Sequence, residues 1–141
     1  MPHAGPRPRP SVCLAVMLAI TASPVAAQAT VDTSLAARLV GSWTVDLRPT
    51  PDAPAYDKEF VIETVTGRDF TGRFYDTPIE NGKINADWGE VHLSFVSRDG
   101  SGPYNHAAVL KNGRMVGQSH SLGRDFLLVW RAKRLVPATN K

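Results

Sequence analysis

The chain has 141 residues, with 16 lysines and arginines against 13 aspartates and glutamates and one cysteine. That length supports one hydrophobic core and excludes two domains of ordinary size. Arg7 and Arg9 lie in a segment that reads as an export signal; without them the count is 14 against 13, and a net charge of +1 leaves no electrostatic footprint for nucleic acid or an anionic membrane surface.

Residues 1–27 follow the order of a secretory signal peptide. A Pro-rich basic start carries Arg7 and Arg9, an apolar run extends from Val12 to Ile20, and a small-residue tail ends in Pro24-Val25-Ala26-Ala27. Cleavage is expected after Val25-Ala26-Ala27 or Ala27-Gln28-Ala29. A retained anchor is the alternative, but the run falls short of the roughly 20 apolar residues a bilayer crossing takes. Cys13 leaves with the signal, so the product enters an oxidising space with no disulfide and is held by its core alone. The expected location is secreted or periplasmic, free of the membrane after cleavage, with residues 28–141 as one domain.

Residues 34–39 (Ser-Leu-Ala-Ala-Arg-Leu) read as a short helical turn capped by Thr33 or Ser34. From Trp43 the period changes to two. Trp43, Val45 and Leu47 form the first alternating run; Phe60, Ile62 and Thr64 the second; Phe70, Gly72 and Phe74 the third; Ile84 and Ala86 the fourth; Val91, Leu93 and Phe95 the fifth. Three more follow near 104–110, 114–121 and 126–134. Thr66-Gly67, Asn81-Gly82, Asp99-Gly100-Ser101-Gly102, Asn112-Gly113 and Leu122-Gly123 supply turn chemistry between runs. The pattern predicts an all-β fold, an eight-stranded antiparallel up-and-down barrel preceded by a short helical turn.

Asn112-Gly113 is a strong two-residue hairpin signal, so Lys111 should face Arg114, placing His106 opposite Ser119 and Ala108 opposite Gly117. A four-residue Asp99–Gly102 loop sets Phe95 against His106 and Ser97 against Tyr104. A two-residue Leu122-Gly123 turn would set Ser119 against Phe126 and Met115 against Trp130. One face then carries Val91, Leu93, Phe95, Leu110, Met115 and Trp130, and the other His92, Gln118, His120, Asp125 and Arg131. The apolar face is the interior, because a one-residue slip would bury the charged set.

His92, His106 and His120 are spaced 14 residues apart, which suggests a three-histidine metal site. The register sends His106 inward and the other two outward, so no metal or other cofactor is expected. Catalysis is not supported either: His106 faces Ser119, but no carboxylate of inward parity stands beside them to orient the imidazole.

The opening Leu39-Val40-Gly41-Ser42-Trp43 resembles the Gly-x-Trp motif of the lipocalins, and Asp69-Phe70-Thr71-Gly72-Arg73-Phe74-Tyr75 is similar to the third strand of avidin-like barrels. Both belong to the calycin superfamily, and the resemblance implies a lipocalin-like β-barrel domain. It also implies that an Arg after the last strand packs over the Trp and closes the barrel floor; Arg134, on the inner parity at that position, matches the role with Trp43. The chain lacks the lipocalin cysteines and central motif and most of the avidin tryptophan cage, so retinoid-type ligands and biotin do not follow.

The same parity gathers polar residues at one end of the interior. Ser97, Tyr104, His106, Ser119 and Ser121, with Phe95 and Phe126, form the candidate ligand-binding set near the mouth, above a wholly apolar lower barrel. The expected partner is a small, largely apolar molecule held by these contacts. The alternative is a protein partner engaged through the loops, as in secreted metalloprotease inhibitors of similar size and opening motif. A calycin-type enzyme is the third reading.

Overall fold

The computed structural model describes Met1, Gly5 and residues 34–136. Apart from Met1 and Gly5, the expected export signal and its cleavage site lie outside the described residues. Residues 34–39 form a short helix, α1, whose Leu35 and Leu39 stack four apart and enter the core. Nine strands follow among the described residues: β1 Gly41–Asp46, β2 Asp57–Thr66, β3 Asp69–Phe74, β4 Thr77–Pro78, β5 Glu80–Asn85, β6 Val91–Asp99, β7 Gly102–Lys111, β8 Arg114–Ser121 and β9 Phe126–Arg134. They form one antiparallel sheet in which β9 pairs with β1 and β2 with β3, closing the barrel. Eight strands make the wall. The ninth, β4, is a two-residue extension paired only with the upper end of β3.

The hairpins β6–β7 and β7–β8 have the expected register, with Ser97 facing Tyr104, Phe95 facing His106, His106 facing Ser119 and Lys111 facing Arg114. Asn112 and Gly113 have φ of 51° and 73°, the left-handed pair of a type I′ turn.

The β8–β9 hairpin differs from the expected pairing. Its loop takes four residues, Leu122–Asp125, held by Leu122 N–H donating to Pro103 O (3.1 Å) and Arg124 N–H donating to Ser121 Oγ (3.2 Å). Ser121 therefore faces Phe126, Ser119 faces Leu128 and Met115 faces Ala132. A two-residue shift preserves parity, so the inner and outer sets stand, but Phe126 rises to an exposed place on the rim.

Two further local expectations are corrected. Asn81-Gly82 lies inside β5 as a bulge, with Asn81 at φ 52° and a register shift between Glu80 and Lys83. Glycine is required next to it, since a Cβ on Gly82 would sit 2.2 Å from Phe70 O. The reversal expected there occurs at Tyr75-Asp76, with φ of 51° and 64°. In β2, a register shift between Ile62 and Thr64 turns Thr64 outward onto Thr71 (Oγ1 to Oγ1, 2.7 Å) and brings Val65 against the core.

The lower barrel is filled by aromatic rings: Phe60 stacks on Phe95 at 5.2 Å, and Phe74 and Trp130 pack at 5.6 Å. Trp130 fits because residue 117 on the facing strand is glycine; a Cβ there would lie 2.3 Å from the indole. Gly117→Ala is expected to lower stability by about 1–3 kcal/mol through overpacking, read as an earlier urea midpoint with unchanged slope.

At the floor, the Arg134 guanidinium lies 4.5 Å from the centre of the Trp43 indole. The last carbonyls of α1 lack helical partners, and these two side chains supply them. Trp43 Nε1 donates to Leu39 O (2.9 Å), Arg134 Nη1 to Val40 O (2.7 Å) and Arg134 Nη2 to Arg38 O. Gly41, at φ 132°, leaves room for this, since a Cβ there would sit 2.8 Å from Arg134 Nη1.

Candidate site at the barrel mouth

Above the aromatic plug the interior opens into a cavity of about 260 Å³ at the end opposite Arg134. Leu47, just past β1, and Phe74, Phe126 and Leu128 form its apolar side; Ser97, His106 and Ser119 form its polar side. These three polar residues are buried, at 5 %, 4 % and 4 % exposure. Each enters by strand parity, and the β6–β7–β8 register sets them in one row.

The row is a continuous hydrogen-bonded chain. Trp130 Nε1 lies 2.8 Å from Ser119 Oγ, Ser119 Oγ 2.7 Å from His106 Nδ1, and His106 Nε2 2.8 Å from Ser97 Oγ. The imidazole is packed among rings, stacked on Phe95 at 4.4 Å and against Phe74 at 4.5 Å, with Tyr104 parallel to it at 6.2 Å. Burial disfavours the charged ring and lowers its pKa from 6.5 to about 4. His106 is therefore neutral at physiological pH. His92 and His120 lie exposed on the outer wall.

The remaining candidate residues fall in different places. The Tyr104 hydroxyl donates to Asp99 Oδ2 (2.8 Å), itself a lining residue, so its proton is already engaged and Tyr104 offers the cavity its ring. Ser121 is fully buried and accepts the loop amide of Arg124 rather than lining the cavity. Phe95 lies beneath His106 as a support. Phe126 stands at the rim, edge-on to Tyr104 at 6.4 Å.

The rim also contains Tyr56 and Tyr75, which sequence periodicity does not reveal because both come from connections. Their hydroxyls are hydrogen-bonded, and Lys58 Nζ lies 4.8 Å and 4.7 Å from the two ring centres. Tyr75 holds a left-handed conformation rare for a bulky residue, anchored by its N–H on Glu59 O (3.0 Å). The two arginines that line the mouth are paired with acids: Arg98 Nε contacts both Glu80 carboxylate oxygens at 3.1 Å, and Arg124 lies 3.8 Å from Asp99.

These features define a closed antiparallel barrel, solid below and hollow at one mouth, with a neutral polar row along one side of a largely apolar cavity that Arg98, Asp99 and Arg124 also line. Comparisons with protein-family models, with curated proteins and with solved structures found no match.

Proposed function

We propose that this protein is a secreted or periplasmic calycin-type barrel that holds one small, largely apolar molecule in its mouth. The observation that carries the reading is the cavity itself, apolar over most of its wall and provided with a few convergent polar groups, the usual form of a small-molecule site. The export signal read in residues 1–27 supports the location, and the Gly41-Ser42-Trp43 opening with Arg134 over the indole supports the calycin assignment.

Native mass spectrometry of the protein purified from its own host tests the reading. A non-covalent adduct is expected on the wild type and on His92→Ala and His120→Ala, and should be lost or much reduced in His106→Ala. Absence of an adduct on the wild type, or its persistence in His106→Ala, would count against the site.

One observation favours a second reading, a protein-binding module. Val116, Leu127 and Val129 form an apolar stripe on the outer wall of β8 and β9, at 49 %, 60 % and 60 % exposure. Such a stripe suits a partner's surface, and it lies on the wall rather than on the loops.

A further inference from the structure

We infer that the molecule held in the mouth presents a neutral hydrogen-bond acceptor, a ketone, aldehyde or ester carbonyl, to the Ser97 hydroxyl. The inference rests on the cavity being a ligand site, and it follows from the head-to-tail direction that suits the buried chain best. An indole N–H can only donate, so Ser119 Oγ accepts from Trp130. Ser119 Oγ has a second lone pair, but a head-to-tail run lets each hydrogen bond polarise the next, so the Ser119 hydroxyl donates to the Nδ1 lone pair of His106 rather than taking two donors head-on. A neutral imidazole carries one N–H, so His106 Nε2 donates to Ser97 Oγ. Ser97 is left holding its own proton, with no second partner among the described residues, on the wall of the cavity.

A buried donor without an acceptor is costly. A carbonyl oxygen accepts the Ser97 proton and brings no donor of its own. An alcohol also accepts, but its own proton then needs a further acceptor on a largely apolar wall where Asp99 is already taken by Ser101 and Tyr104. A donor-only group leaves the Ser97 proton unmet. A carboxylate beside Ser97 would need a counter-ion there: the lining cations Arg98 and Arg124 already have acidic neighbours, and Lys58 stands outside the lining, on the Tyr56 and Tyr75 rings at the rim. A cavity of about 260 Å³ holds one ring with a short side chain. The same direction leaves no lone pair on Nε2 to take a proton from Ser97, so the Ser97–His106 pair donates to a ligand rather than attacking one.

Matched probes test this. Acetophenone, 1-phenylethanol and ethylbenzene, titrated calorimetrically into wild type and Ser97→Ala, differ only in the group that would meet Ser97. The wild type should bind acetophenone about tenfold or more tightly than ethylbenzene, the difference one net hydrogen bond makes, with the alcohol between. Ser97→Ala should bind ketone and hydrocarbon alike while keeping the ethylbenzene affinity, which also shows that it is folded. The ring nitrogens of His106, followed by nitrogen-15 NMR, should show Nε2 protonated and Nδ1 bare. Equal binding of all three probes by the wild type, a ketone preference that survives Ser97→Ala, or a proton on Nδ1 would overturn the inference while leaving the cavity as a ligand site. Failure of all three probes to bind would overturn both.

Discussion

Replacing Trp43 by alanine is expected to lower the free energy of unfolding by about 3–5 kcal/mol, the range for loss of a large buried aromatic. The indole is 1 % exposed and does more than fill space. Its N–H satisfies the Leu39 carbonyl, and its face supports the Arg134 guanidinium that satisfies Arg38 and Val40. Without the ring, Arg134 loses a cation–π contact of about 1–2 kcal/mol, and the end of α1 loses its link to the closing strand. Trp43→Phe should recover most of the packing but not the Leu39 bond, and should fall between wild type and alanine. Urea unfolding followed by circular dichroism reads both variants. A loss below about 1 kcal/mol in Trp43→Ala would show that the floor is not held this way.

Acid should destabilise the barrel through His106. The folded pKa is depressed to about 4 against 6.5 for the free side chain, so between these values the unfolded chain binds the extra proton. Stability is therefore full above about pH 6.5, falls as pH drops through the window, and levels off for this group below about 4. The 2.5-unit gap corresponds to about 3 kcal/mol. Asp46, bound by Arg48, and Glu90, bound by Lys111, have lowered pKa values, and stability from such carboxylates is lost only at lower pH, below their unfolded values. His106→Gln should flatten the curve between pH 6.5 and 4.5, whereas His92→Gln with His120→Gln should leave it sloping. A wild-type curve already flat there would mean that the imidazole is not sealed from water.

The sequence made the β6–β7–β8 wall legible because Asn112-Gly113 fixes the β7–β8 register and the Asp99–Gly102 connection that of β6–β7. With that register, Ser97, His106 and Ser119 fall in one row by strand parity alone. The β8–β9 pairing was not legible, since Leu122-Gly123 looks like a two-residue turn, and only the Ser121 and Pro103 contacts show that the loop takes four. Asn81-Gly82 was ambiguous for a physical reason: a left-handed Asn followed by Gly serves a bulge as well as a hairpin. The turn that does occur uses Tyr75-Asp76, residues with no strong turn signature, so the rim pair of Tyr56 and Tyr75 could not be read. Parity also says which way a side chain enters but not where its end turns, hence Tyr104 contributes a ring and Ser121 a loop contact.

Nuclear magnetic resonance mapping tests most directly whether the mouth is a ligand site. Acetophenone titrated into isotopically labelled protein should shift resonances of Leu47, Phe74, Ser97, Ser119 and Leu128 saturably, together with the His106 ring, and leave Val116, Leu127 and Val129 unmoved. Saturable shifts confined to that outer stripe, or none within the mouth, would contradict the assignment.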